Sequence, residues 1–378
     1  MTARPNLLFL SLWDASNRNA ESGYAFSMRK QLQKQFAVTD FFPLQIPGER
    51  FLYPLRAAYK AIGQYYHPMR EPVLLKSLAR KIESQVRLSK PDVIFVPSSI
   101  PLTYVEARCP TVYATDQLFC DFVDTYIAAA AGRFRELGNM QEKRAIDRVT
   151  RATFPSEWAA SSARQRYGAP DEKVAVIPWG ANLPKPIPEE IVQAAISSRP
   201  FNRCELVFVG RDWARKGGDA LVATVEELNK AGLPAKATII GSDPPDIDRK
   251  QFDVFPFINK GKPSHFAQFT SIMLRAHFLF LPSRAEAYGQ AFCEAAAFGV
   301  PSIGSTVGGI PTIIRENETG FLRPTTTPPS EYSELIRTVL ADPARYARLA
   351  QQAREDYLQR LNWDTFGEQL NGTLMASI

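Results

Sequence analysis

The chain has 378 residues, 45% hydrophobic and 22% charged, which is room for two cores and excludes a disordered or low-complexity chain. Its formal charge is +6 and its pI about 9.1, consistent with scattered surface charge or with an anionic ligand or membrane surface. Four cysteines without a CxxC (Cys109, Cys120, Cys204, Cys293) and three scattered histidines (His67, His265, His277) point to a reducing compartment and away from a metal centre, and no apolar run reaches the length of a membrane span.

Asn6 to Leu12, between Pro5 and Asp14, is an apolar run that reads as a buried first strand rather than a signal peptide. A polar loop, Trp13 to Gly23, precedes a helical pattern at Phe26 to Phe36, and Gly23 reads as a ligand-facing turn. Val38 to Phe42 is the second strand. Phe51 to Met69 interleaves aromatics with Arg56 and Lys60. This stretch fits a helix packed by its aromatic side onto the first domain, or one lying on a membrane interface. Leu74 to Leu88 is helical, and Asp92 to Val96 and Thr111 to Ala114 are strands. Asp116, just past the second of these, is either a helix N-cap or a carboxylate facing a cleft from the carboxyl end of a strand. A charged helix at Gly132 to Arg151, a strand at Ala152 to Pro155, a helix at Glu157 to Arg166 capped by Ser156, and a strand at Val174 to Ile177 complete the first half.

Pro184, Pro186 and Pro188 interrupt the pattern, and the stretch up to Pro200 reads as an interdomain linker with a short helix at Glu189 to Ser197. The rhythm then restarts with a strand at Glu205 to Val209, a basic glycine-containing loop from Gly210 to Gly218, and a helix at Asp219 to Ala231. Arg211 and Lys216 place fixed positive charge beside glycines that let a ligand approach the backbone. Strands at Lys236 to Gly241 and Asp253 to Phe257 and a helix at Ser264 to Ala276 follow. The apolar run Phe278 to Leu281 then delivers a polar loop, Ser283 to Gln290, to a helix that opens near Gly289 and stops at Gly299. Glu286 and Glu294 stand on this loop and helix with seven residues between them. Amphipathic helices at Glu331 to Leu340 and Pro343 to Asn362 close the chain, with Trp363 and Phe366 as apolar anchors.

The pattern predicts an α/β chain of two mostly parallel halves, the second offering a basic loop, a helix N-terminus and two acids at strand carboxyl ends. Such a set suits a diphosphate and polyhydroxyl groups. No GxxxxGK[ST] occurs, and no GxGxxG follows the first strand, which argues against a P-loop ATPase and a nicotinamide enzyme.

Glu286 and Glu294 at this spacing, with Pro282-Ser283, Gly289, Glu294-Ala295 and Gly299-Val300-Pro301, resemble the paired-glutamate motif of the retaining GT-B glycosyltransferases of family 4. Val307-Gly308-Gly309-Ile310-Pro311 looks like that family's GGxPE loop, and Asn317 to Leu322 like its N-x-x-G-x-L. Val209-Gly210-Arg211 with Lys216-Gly217 resembles its VGR…KG loop, and Phe154 to Glu157 and Ile177 to Gly180 resemble the end of its first domain. The likeness is close over residues 150 to 325 and loose before them.

The resemblance implies a GT-B fold, two Rossmann-like domains facing across a cleft: residues 1–180 for the acceptor, joined in space by a helix at 361–378, and residues 181–360 for the donor. It implies a hexosyltransferase that takes a UDP- or GDP-sugar, retains anomeric configuration, and needs no metal or other cofactor. Carried over by position, Arg211 and Lys216 neutralise the diphosphate, Glu294 binds the ribose, and Glu286 holds the donor sugar. Backbone amides of Tyr288, Gly289, Gln290 and Ala291 contact sugar and phosphate, Gly23 and Gly210 border the donor, and Phe257 or Ile258 borders the base. The chain departs from the pattern at three positions. Thr115-Asp116 stands where many members have a His, Trp179 where Asn commonly precedes Gly, and Thr312 where Glu follows Pro. The acceptor expected is a hydroxyl of a glycan, a lipid-linked molecule or a small molecule, with no choice among them made by the sequence. Nucleic acid is not expected as a partner. The setting expected is cytoplasmic, either free or peripheral at the inner membrane face. A sugar-nucleotide epimerase, a phosphorylase and a non-catalytic glycan-binding relative share the architecture.

Overall fold

The computed structural model describes residues 4–18, 20–127, 129–244 and 247–378, with Glu21 described by its backbone alone. The chain divides into two compact units, Met1–Pro178 with Phe366–Ile378, and Trp179–Thr365.

The first unit holds β1 (Asn6–Leu10), α1 (Tyr24–Leu32), β2 (Ala37–Phe41), α2 (Tyr53–Ala61), α3 (Pro72–Ser89), β3 (Val93–Val96), β4 (Thr111–Ala114), α4 (Phe119–Tyr126), α5 (Gly132–Arg148), β5 (Arg151–Phe154), α6 (Glu157–Tyr167) and β6 (Val174–Val176). Its six strands pair in parallel in the order β2-β1-β3-β4-β5-β6. Every residue of β3 is apolar and buried, as a strand covered on both faces requires. Helix α3 starts with Pro72 at its first position and buries Leu74, Leu75, Leu78, Ala79 and Ile82, one face at helical spacing. Helix α6 has the cap the sequence predicts: Ser156 Oγ accepts from the Ala159 N–H at 3.3 Å, and Gly168 ends it in the left-handed region at φ 66°.

One expectation fails in this unit and another holds only in part. Asp116 is not a helix cap. Helix α4 starts at Phe119, three residues later, with Leu118 as N-cap, and the Asp121 carboxylate accepts from the Leu118 N–H at 3.3 Å. The aromatic stretch from Phe51 packs onto the first unit only in part: Tyr59 stacks on Tyr66 at 4.6 Å, and Tyr65 and Tyr66 meet Phe134 edge-on, whereas Phe51 and Tyr53 are exposed and no residue of α2 is buried.

The second unit holds α7 (Glu189–Ser198), β7 (Cys204–Val209), α8 (Gly218–Lys230), β8 (Ala235–Ile240), β9 (Phe252–Phe255), α9 (Pro263–Arg275), β10 (Phe278–Leu281), α10 (Gln290–Ala296), β11 (Ser302–Ser305), α11 (Ile310–Ile313), β12 (Gly320–Arg323), α12 (Pro329–Leu340) and α13 (Pro343–Gln359). α14 (Trp363–Met375) begins here, and from Phe366 onward belongs to the first unit. The six strands are again parallel, in the order β12-β11-β10-β7-β8-β9. Counted from β7 this is 3-2-1-4-5-6, so the winding reverses between β7 and β10, which is where open α/β sheets bind ligands.

The proline-rich stretch is not a free linker. Ile187, Val192 and Ile196 are buried, Arg354 donates to the Ile187 carbonyl at 3.0 Å, and the same guanidinium pairs with Glu189 at 2.8 Å. Prolines bar this stretch from a ladder or helix interior but not from lying as a strap on the domain.

Candidate functional site

The site assembles where β7 and β10 end. Residues Leu206 and Val207 pair with Phe278 and Leu279, so the loops leaving the two strands emerge side by side. The β7 loop is folded on itself: Asp212 Oδ1 accepts from the Arg215 N–H at 3.1 Å, and the Asp212 carbonyl accepts from the Lys216 N–H at 3.0 Å. Gly217, at φ +79°, then brings the loop against Pro282, whose carbonyl would overlap any Cβ there. Two arginines lace the loops together. Arg215 donates to the Ala285 carbonyl at 2.7 Å, and Arg284 donates to the Ala214 carbonyl and pairs with Asp219 at 2.6 Å. That pair holds the Asp219 carboxyl below its ordinary range.

This frame places four charges on two ion pairs. Lys216 Nζ pairs with Glu286 Oε2, side chains 10% and 11% exposed. Lys260 Nζ pairs with Glu294 Oε1, and Glu294 is the more buried partner. Lys260 comes from the β9–α9 connection and also lies over the Phe269 ring at 5.2 Å. Arg211 is exposed and has no side-chain partner among the described residues. Ser242 Oγ donates to the Gly210 carbonyl, and the Gly210 N–H donates to the Ile240 carbonyl at 2.9 Å, which tie the start of the basic loop to the end of β8.

The loop carrying Glu286 is pinned from behind. The Gly309 N–H donates to the Ala287 carbonyl at 3.1 Å, and Gly308, at φ +54°, lies so close that a Cβ would overlap the Glu286 carbonyl oxygen. Tyr288 turns inward: its hydroxyl donates to the Trp179 carbonyl at 3.0 Å, and the rings meet edge-on at 5.8 Å. Burial keeps that phenol protonated and pushes the neighbouring Cys293 thiol up to about 12, so neither serves as an anion. Trp179 is therefore an internal wedge between Tyr288 and Trp363, which stacks on it at 6.5 Å. Gly180 is confined by the Asn362–Trp363 backbone and accepts from Gln290 Nε2 at 3.5 Å.

The structure thus brings Gly210, Arg211, Lys216, Glu286, Tyr288, Gly289, Gln290, Ala291 and Glu294 to one edge of the second sheet. Gly289 caps α10 in the left-handed region at φ 99°, and Gln290 and Ala291 open that helix half-buried. Phe257, 57% exposed, and the buried Ile258 follow β9. Gly23 and Asp116 lie in the first unit, Gly23 as the left-handed N-cap of α1 and Asp116 half-buried after β4. Lys260 was not singled out from the sequence. Its signal is Asn259-Lys260-Gly261-Lys262, a basic glycine-containing run behind an apolar strand, the same pattern that marks Gly210 to Gly218.

Two family models match the chain, glycosyltransferase family 4 over residues 24–184 and glycosyl transferases group 1 over residues 193–356. The chain belongs to the family 4 glycosyltransferases. Its relatives include D-inositol 3-phosphate glycosyltransferase 1 of Catenulispora acidiphila, 28% identical over 48% of this chain and 47% of that protein. The enzyme of the same function name from Streptomyces bingchenggensis is 28% identical over 61% of this chain and 53% of that protein. The chain spans about half the length of the curated relatives it matches. Among solved structures, sucrose-phosphate synthase from Thermosynechococcus elongatus matches over 100% of both chains with a TM-score of 0.71 at 19% identity. HepE of Anabaena in complex with UDP matches over 98% of this chain and 100% of that one, with a TM-score of 0.67 at 17% identity. These likenesses establish a GT-B fold with two α/β domains.

Proposed function

We propose that the protein is a hexosyltransferase that moves a sugar from a UDP- or GDP-sugar to a hydroxyl of a glycan, lipid-linked or small-molecule acceptor, retaining configuration and using no metal. The observation that carries this is the set of charges on the loops at the carboxyl ends of the second sheet's strands: the ion pairs Lys216–Glu286 and Lys260–Glu294, and Arg211, which has no side-chain partner among the described residues. The curated relatives named as glycosyltransferases, and HepE structures that hold UDP or UDP-glucose, support the choice of donor class.

Lys216 and Glu286 neutralise each other in the structure. A donor diphosphate offers Lys216 a doubly charged partner beside Arg211. Glu286 is then released to accept from a hydroxyl of the sugar. Glu294 turns to the ribose hydroxyls in the same way, with Lys260 as its counter-ion. In the transfer step the bond from the anomeric carbon to the diphosphate oxygen breaks, and the acceptor oxygen bonds that carbon on the same face. The acceptor proton passes to the departing phosphate oxygen. Arg211 and Lys216 stabilise the charge that develops there, the role a metal fills in other transferases. Asp116 is proposed to orient the acceptor.

The test is nucleotide release from UDP- and GDP-sugars with acceptors present, measured in EDTA, with the product anomer assigned by NMR. Turnover should persist in EDTA, and Arg211→Ala or Lys216→Ala should lower it about 100-fold. Wild-type rates in Arg211→Ala, Lys216→Ala and Glu294→Ala together would place the chemistry elsewhere. An unchanged kcat in Asp116→Ala would remove Asp116 from it.

A further inference from the structure

Helix α2 sits in a segment set off by two left-handed glycines, Gly48 at φ +79° and Gly63 at φ +71°. None of its residues is buried. Phe51 is 87% exposed, Ile62 68%, Tyr53 46% and Leu55 39%. Leu55, Ala58 and Ile62, spaced i, i+3 and i+7, share one face of α2 and its C-cap, and Phe51 stands exposed in the 3-10 turn Glu49–Leu52 that leads into the helix. The segment is fastened along a different line, through Leu52 on the main core and Tyr59 on Tyr66. Arg56 and Lys60, one turn apart on the far side of that line, are exposed and form no ion pair among the described residues. The only carboxylate between residues 48 and 70 is Glu49, 3.7 Å from His67 Nδ1.

A nine-residue helix that buries nothing gains little from its own hydrogen bonds, and several large exposed apolar side chains on one short segment mark a contact surface. Charge selects the partner. Of the 45 Lys and Arg, 24 lie in the first unit, with 18 of the 39 Asp and Glu, which leaves 21 of each in the second; the whole formal +6 belongs to the unit that carries α2. Among the described residues no helix is long and apolar enough to cross a membrane.

We infer that residues 48–63 dock the first unit on an anionic lipid surface. Phe51, Leu55 and Ile62 enter the headgroup boundary, Tyr53 lies at the polar level, and Arg56 and Lys60 meet the lipid phosphates. The inference stands whether or not the donor assignment does.

The test is sedimentation of the full chain with vesicles of phosphatidylcholine plus phosphatidylglycerol and with vesicles of phosphatidylcholine alone. The protein should pellet with the anionic vesicles and be released by high salt. Arg56→Gln/Lys60→Gln should lower the partition coefficient by roughly 30-fold, and Phe51→Ser/Ile62→Ser should abolish pelleting. All four positions are solvent-exposed, so circular dichroism and Tm should match the parent. Equal pelleting with both vesicle types, or unchanged pelleting in both variants, would overturn the inference. So would a wild-type dimer that Phe51→Ser/Ile62→Ser dissolves without any vesicle binding, which would assign these side chains to a second copy of this chain.

Discussion

Glu286 owes its position to a residue with no side chain. Gly308 holds a left-handed φ of +54° and presses on the Glu286 carbonyl, while Gly309 donates to the next carbonyl along. Alanine at position 308 would meet both the backbone strain and the overlap. We expect Gly308→Ala to displace the Glu286 loop, cut donor-dependent nucleotide release at least about tenfold, and lower stability by about 1–3 kcal/mol. Gly168→Ala separates the two effects. It imposes the same unfavourable φ, at +66°, but has nothing within 4 Å of the new Cβ. Its cost should be about 1 kcal/mol of stability with activity unchanged. Steady-state kinetics and thermal melts on both variants check this; equal activity in the two would mean that the Gly308 contact does not position Glu286.

At the scale of elements, β7 and β10 depend on one buried imidazole at the foot of the sheet, the end away from the site. His277 precedes β10; its Nδ1 accepts from the Glu205 N–H at 3.0 Å, and its Nε2, 2.6 Å from the Pro200 carbonyl, carries the proton. Burial, with Arg199 nearby, holds its pKa below the ordinary 6.5. Above that value the folded and unfolded chains both hold a neutral imidazole. Below it the unfolded chain takes up a proton that the folded one resists, so stability falls until the folded pKa is passed and then levels off. His277→Gln lacks this term. The Tm gap between wild type and His277→Gln should therefore stay constant above about pH 6.5 and narrow below it; a constant gap down to about pH 5 would show that the imidazole does not titrate against folding. The same strands show what the sequence made legible. Phe278 to Leu281 and Thr111 to Ala114 were read with their observed limits, because a strand buried on both faces is an unbroken apolar run between breakers. Glycines and Ser156 marked helix ends for the same local reason. The N-cap reading of Asp116 misplaces the start of α4, because the capping carboxylate, Asp121, lies inside the helix rather than before it. The partners of Glu286 and Glu294 stood 70 and 34 residues away, where no local pattern links acid to base. The exposure of α2 was hidden because aromatic spacing looks the same whether the face is covered by the chain's own core or by something else.

At the scale of the whole molecule, the covalent order and the compact units disagree at one place. The last residues leave the unit that precedes them in sequence, and Phe366, Leu370 and Leu374, four apart on α14, are buried in the first unit, where Gly367 fits against Gln31. Burying three such side chains is worth about 5–8 kcal/mol by area, comparable to the entire margin of a typical domain. Removing residues 366–378 should therefore unfold the first unit while residues 179–365 keep their own sheet. Tryptic digestion should degrade the residue 4–178 region and leave a fragment from the second unit. UDP or GDP should still raise the melting temperature of that fragment if the donor assignment holds. Leu370→Ala/Leu374→Ala is the graded version, because it keeps the chain length and should lower only the melting transition of the first unit. A truncated protein with both units resistant to trypsin would show that the first sheet folds without its C-terminal cover.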